Sequence, residues 1–179
     1  MKYMQNGGFQ NNRFMKLTLL FTLLFLFGFW VTNFALYFSK MNVTPRSVQD
    51  YYLGSEEQYR MPRTVQSMLE VTHSHLPMMA MVVLLLTHLL IFVPYRAKTK
   101  VWFIVLAFSS AFISETSGWL VRFIHPNFAV MKIASYLSFQ TILGVLIFAL
   151  AMFLIKPAYV EESHKMEPAG MKREKKIEV

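Results

Sequence analysis

Three of the five histidines of this 179-residue chain lie in one apolar stretch, EVTHSHLPMMAMVVLLLTHLL, residues 70–90. His73 and His75 stand at its start beside Glu70, and His88 lies deep inside it. Neutral imidazole is a common ligand of haem iron, copper and zinc. Ionisable side chains cost at least about 2.5 kcal/mol near the centre of a bilayer, so they usually mark function there. These histidines are therefore the first candidates for chemistry.

A helix through this stretch turns the histidines in different directions. At about 100° per residue, His73 and His75 point to nearly opposite sides of a regular helix. His73 and His88 are separated by only about 60° in azimuth and by about 22 Å along the axis. We therefore expect His73 and His75 to do different work.

Two histidines thirteen to fifteen residues apart on one membrane-spanning helix resemble the b-type membrane cytochromes, which hold two haems, one in each leaflet. The resemblance covers mainly this helix and a four-span architecture. It implies a haem b cofactor, electron transfer within the membrane, and other membrane or periplasmic redox proteins as partners.

The cytochromes supply the opposing haem ligands from histidines of another helix, and the candidate here is His125 in RFIHPNF. The resemblance thus implies an outer haem between His125 and either His73 or His75. His88 is a candidate inner ligand without a histidine partner. Arg122, one turn before His125, is expected to neutralise a haem propionate.

A carboxylate lies inside another apolar segment, SSAFISETSGWLVRFIH, residues 109–125. A buried carboxylate has to be paired or protonated, so Glu115 is not explained by simple packing. Gln140 lies at comparable depth in the last apolar segment, and Asn33 lies a little higher in the first. We expect these groups to form a polar pocket in which Glu115 handles a proton or contacts a quinol.

Two alternatives come from other functional classes. The first is a non-catalytic membrane scaffold subunit, whose polar side chains only hydrogen-bond the helices to one another. The second is an outward-facing copper or zinc site formed by Glu70, His73, His75 and His125, with His88 as a further candidate metal ligand.

The elements that position these residues are four apolar segments, each near the roughly 20 residues that cross a bilayer as a helix. They cover about 14–38, 72–93, 101–124 and 130–155. Only 16% of the residues are charged, against about a quarter in soluble domains. We predict an all-α fold, an integral membrane four-helix bundle over residues 1–157. The absence of cysteine excludes disulfides, thiolate metal sites and iron–sulfur clusters on this chain.

Basic residues predict the orientation. Twelve Lys and Arg lie before the first segment, in the 94–100 loop and in the tail, against four in the 39–71 connection. Basic loops stay cytoplasmic, so both termini are predicted inside a bacterial plasma membrane and 39–71 outside. This explains the net charge of +8 without a nucleic-acid partner. The tail, 158–179, is predicted to be disordered.

Two helix starts are predicted in the outer connection. Thr44 followed by Pro45 is an N-cap with proline at the first helical position, so a short helix is expected over 45–53, ended by Gly54. A second helix is expected to start near Thr64 and to continue into the second span.

Overall fold

A computed structural model describes residues 12–155, which form five α-helices and no β-strand. The predicted tail, 158–179, lies outside these residues. The helices are α1 (Arg13–Lys40), α2 (Pro45–Leu53), α3 (Val65–Leu90), α4 (Ala97–Phe123) and α5 (Phe128–Ile155).

Four of the helices are long and apolar enough to cross a membrane: α1, α3, α4 and α5. They contain 26 to 28 residues and are therefore about 40 Å long, against about 30 Å of hydrocarbon in a bilayer. The helices satisfy most of their backbone hydrogen bonds internally, as lipid requires, although Pro77 within α3 has no N–H to donate. The predicted all-α membrane bundle is confirmed.

The short helix α2 forms where its capping residues predicted it. The Thr44 hydroxyl accepts a hydrogen bond from the Ser47 amide at 3.4 Å, and Pro45 is the first helical residue. Gly54 ends the helix with φ of 90°, a left-handed conformation that favours glycine.

Helix α3 starts at Val65, with Thr64 as its N-cap, and runs through Pro77 to Leu90. The second span therefore begins before the predicted residue 72, and His75 lies about 15 Å along the helix. His88 lies near the last residue of α3, where its exposed ring packs against Phe92. Helix α3 ends at Leu90 and the chain turns there, so His88 lies within one helical turn of the end of the helix.

Helix α5 is the centre of the bundle. Half of the residues in the most apolar stretch of α5 are buried inside the bundle, against 11% in the corresponding stretch of α1 and 17% in that of α3. It packs most extensively against α4 and also contacts α1, α2 and α3. Because α1 and α3 are peripheral, both leave much of their surface for lipid or another protein.

Two apolar clusters lie along the bundle. One unites α1, α2, α4 and α5 around Tyr37, Val48, Val121 and Tyr136, and we call this end of the bundle the α2 end. The larger cluster lies toward the opposite end, where Leu86, Leu90, Leu146 and Leu150 are buried. Polar residues are buried between the helices as well: Ser110, Ser114, Ser117, Lys132, Ser135 and Gln140.

Contact between α1 and α5 depends on Gly144. The indole of Trp30 lies so close that a Cβ on Gly144 would meet its ring at 2.9 Å. The same indole donates to the Gln140 carbonyl at 2.8 Å. Small residues allow helices in a membrane to approach this closely.

We predict that Gly144→Ala lowers the stability of the bundle by about 1–3 kcal/mol, because the added methyl group forces Trp30 away from α5. Thermal unfolding of the detergent-solubilised protein measures this loss. The matched control is Gly28→Ala in α1, where an added Cβ meets nothing within 4 Å. Equal unfolding temperatures for the two variants would contradict the account of this contact.

Candidate functional site

A cavity of about 680 Å³ lies in the half of the bundle toward the α2 end. All five helices contribute to its lining, with α1 and α3 each supplying a long row of side chains. Its volume is within the range of small-molecule binding sites, which are mostly apolar with a few polar groups. Its polar lining includes Asn33, Thr72, His75, Glu115, Lys132 and Gln140.

Glu115 is held by partners on α3. Its Oε1 accepts a hydrogen bond from the Thr72 hydroxyl at 2.7 Å, and its Oε2 lies 3.4 Å from Nδ1 of His75. Only 11% of the Glu115 side chain is exposed, against 45% for His75. The Trp119 indole donates to the Thr72 hydroxyl at 3.0 Å. We call these four residues, Thr72, His75, Glu115 and Trp119, the Glu115 cluster.

Glu115 and His75 meet because they lie at equal depth. Glu115 is about 12 Å from the end of α4, close to the depth of His75 in α3. When the imidazole is protonated the two side chains form an ion pair. An imidazole and a carboxylate in contact are a pair that can accept and pass on a proton.

Lys132 is a further charged group in the cavity lining, and its side chain is buried. Its ammonium donates to the Ser114 carbonyl at 2.6 Å and lies within electrostatic range of Glu115. Sequence reasoning missed it, because a lysine near a helix end usually reaches to water. The available signal was its spacing, since Lys132, Tyr136 and Gln140 repeat every four residues along one face of α5.

Gln140, a residue of the cavity lining, has an unpaired side-chain acceptor. Its amide nitrogen donates to the Tyr136 hydroxyl at 3.2 Å, and that hydroxyl donates to the Asn33 carbonyl. The Gln140 Oε1 is buried and has no hydrogen-bond partner within residues 12–155. Buried acceptors are nearly always paired, so a hydrogen-bond donor on a ligand would satisfy this atom. Asn33, Glu115 and Gln140, named from sequence as a polar pocket, line this one cavity.

The cavity is covered at the α2 end by Tyr51, Tyr52 and Arg63. A Cβ on Gly118 would lie 2.7 Å from the Tyr52 hydroxyl, so α2 sits directly against α4. Burial raises the pKa of the Tyr52 hydroxyl well above its ordinary value, and the side chain therefore stays neutral. The Arg63 guanidinium lies 4.4 Å from the centre of the Tyr51 ring.

The candidate haem ligands are dispersed. His75 lines the cavity, whereas His73 and His125 do not and have exposed side chains. Nδ1 of His125 accepts a hydrogen bond from the Asn127 amide at 3.1 Å. The Arg122 guanidinium, expected to meet a propionate, donates to the Arg63 carbonyl at 2.8 Å. The cavity thus offers a single histidine, which does not fit a bis-histidine haem inside it.

The residues of the copper or zinc alternative are not assembled either. Within 12–155, no three His, Asp or Glu side chains are grouped so that they could hold one metal ion. Glu70 accepts instead from the Gln66 amide at 3.0 Å. His73 and His75 leave α3 on different sides, as the helical angle predicts.

Comparison with known proteins gives a family but no characterised relative. No curated protein and no solved structure matches the chain. A family model described as a transmembrane helical domain, Aq_1264_TM, matches residues 42–164. This range begins before α2, includes α2 to α5 and covers more than half of the chain. The chain therefore belongs to the Aq_1264_TM family of transmembrane helical domains.

Proposed function

We propose that this multi-pass membrane protein binds a lipid-soluble quinol in its cavity, as a subunit of a membrane redox complex. The observation that carries the proposal is the contact between His75 and Glu115 in the wall of a largely apolar cavity. A quinol combines the two properties that this lining selects, an apolar body and hydroxyl groups that donate hydrogen bonds.

The apolar part of the lining supports a ligand that arrives from the lipid. Phe29 and Leu36 of α1 and Met78 and Met79 of α3 line the cavity. Both helices are peripheral, and much of their surface is not covered by the rest of the chain. Methionine adapts to irregular ligand shapes, since its side chain is unbranched and flexible.

The polar part of the lining supports recognition of the two quinol hydroxyls. The Glu115 carboxylate has further lone pairs besides those facing Thr72 and His75, and Gln140 Oε1 has no hydrogen-bond partner within residues 12–155. A hydrogen bond from a quinol hydroxyl to the carboxylate would be charge-assisted and therefore stronger than a neutral one.

Oxidation of a quinol releases two protons and two electrons. In the proposed role one proton passes to the His75–Glu115 pair and the other to water at the α2 end, and the two electrons pass one at a time to a one-electron acceptor, such as a haem, in a partner subunit. Lys132 limits the cost of the Glu115 charge, because opposite charges in a low-dielectric environment attract strongly. The asymmetry of basic residues favours an orientation with the α2 end outside a bacterial plasma membrane, and in that orientation the protons would be released outside.

Haem b on this chain stays a prediction from the resemblance to b-type cytochromes. Within the cavity His75 would be its only histidine ligand, and no step of the proposed role requires it. The scaffold alternative differs from the quinol and haem hypotheses, since it predicts that no ligand binds the cavity.

We predict that a ubiquinone analogue with a ten-carbon tail quenches the fluorescence of the detergent-solubilised protein in a saturable manner. Trp119 lies in the Glu115 cluster, so Trp119→Phe should remove a large part of the quenching. Trp102→Phe is the control, because Trp102 is exposed near the start of α4, away from the cavity. Quenching that does not saturate would contradict the proposal and favour the scaffold alternative.

We predict that Glu115→Gln weakens the binding of quinol and leaves the binding of quinone nearly unchanged. Displacement of the quinone by its quinol should need about tenfold more quinol in the variant, because a hydrogen bond to a charged group contributes about 1.5–3 kcal/mol. Affinity for the oxidised quinone should change little, since glutamine keeps an acceptor for the Thr72 hydroxyl. An unchanged quinol affinity would exclude Glu115 from ligand recognition.

We predict that reduced-minus-oxidised spectra of the purified protein show haem b bands if the chain itself carries haem. His75→Ala should then lower the haem content, since His75 would be the only histidine ligand within the cavity. Absence of the bands would exclude the haem hypothesis for this chain and leave quinol binding unaffected.

A further inference from the structure

A second cavity of about 420 Å³ adjoins the first at the α2 end, and we call it the vestibule. It lies where α1 ends and α3 begins. The two cavities share five lining residues: Ser39, Lys40, Tyr51, Arg63 and Ser67. Three cationic side chains line the vestibule, Lys40, Arg60 and Arg63, and its lining includes no acidic residue.

The three cations lack carboxylate partners. Within the described residues, the ion pairs are Arg46 with Glu57 and His75 with Glu115, and neither involves the vestibule. Arg60 donates to the Lys40 carbonyl and Arg63 to the Ser67 hydroxyl, each at 3.4 Å. A guanidinium has five N–H donors, so these contacts leave most of the hydrogen-bonding capacity of both arginines for a ligand.

Three like charges around one cavity repel one another, and an anion among them removes that repulsion. Arginine matches phosphate especially well, because its planar N–H groups can form two parallel hydrogen bonds to phosphate oxygens. Lys40 adds a point charge. The chemistry of the vestibule therefore fits a phosphate group better than a neutral ligand.

The depth of the vestibule indicates where such a phosphate would come from. The apolar surface of α1 continues to Phe38, which is half exposed, and the helix ends at Lys40. The exposed Tyr59 lies in the same part of the chain, and tyrosine is enriched at membrane interfaces. The vestibule is thus placed at the level of lipid headgroups rather than in bulk water.

We propose that the vestibule binds the phosphate of an anionic phospholipid, held by Lys40, Arg60 and Arg63. This site lies beside the quinol cavity and does not depend on quinol binding. A bound lipid would fill the gap between the end of α1 and the start of α3.

Native mass spectrometry of the protein, released from detergent micelles that contain phosphatidylglycerol and phosphatidylcholine, tests this site. We expect the wild-type chain to retain phosphatidylglycerol selectively. Lys40→Gln and Arg60→Gln should each lower the retained fraction about fivefold, the effect expected for one basic residue near an anionic lipid. Arg46→Gln is the matched control, because it removes one positive charge from the same connection, outside the vestibule.

If Arg46→Gln and Arg60→Gln lowered the retained fraction of phosphatidylglycerol equally, the effect would be a general one of charge, and the proposal would be overturned. Retention by Lys40→Gln and Arg60→Gln at the wild-type level would overturn it too. Inorganic phosphate distinguishes the two sources of the phosphate group. We expect millimolar phosphate to leave the lipid bound, and displacement of the lipid by phosphate would assign the site to a soluble anion instead.

Discussion

The Glu115 carboxylate is the group on which the α2 half of the bundle most depends, because an unpaired charge is costly among membrane-spanning helices. Its Oε1 is hydrogen-bonded to Thr72 and its Oε2 faces His75, so a group on α4 is matched by two groups on α3. Lys132 adds an opposite charge from α5. Glu115 thereby joins α4 to α3 by two contacts and is attracted to Lys132 of α5.

The packing of α4 against α5 makes this arrangement possible. Ser110, Ser114 and Ser117 are buried on α4, and their small side chains allow the two helices to approach closely. The hydroxyls of Ser110 and Ser117 donate to backbone carbonyls of α4 itself. The Ser114 carbonyl also accepts a hydrogen bond from the Lys132 ammonium of α5. The polar residues between these helices are therefore largely satisfied, and Gln140 Oε1 stands out because it is not.

The cavity follows from the different positions of the helices. Helix α5 is central and holds α1 through Trp30 and Gly144, while α3 packs on α4 and α5. Side chains of α1 and α3 line the space that remains, and α2 covers it through Tyr51 and Tyr52. A site built in this way combines an apolar lining with an imidazole–carboxylate pair, which is the combination that the proposed quinol ligand would use.

Much of the framework could be predicted from the sequence, because helices in lipid must satisfy their own backbone and therefore have a minimum apolar length. Local capping chemistry predicted α2, and depth along the helices grouped Asn33, Glu115 and Gln140. The contact of His75 with Glu115 was not predicted, since sequence gives the angle of a side chain on its helix but not which helix stands opposite. Lys132 was overlooked for a similar reason, because only the tertiary structure shows that its ammonium turns inward.

Photoaffinity labelling with an azido-substituted short-chain quinone tests the central claim, that the cavity is the quinol site, most directly. After illumination and peptide mass spectrometry, the account predicts adducts on lining segments of α1 and α3, around Leu36 and around Met78, which excess unlabelled quinol suppresses. Adducts confined to the opposite end of the bundle, or labelling that excess quinol does not reduce, would contradict it.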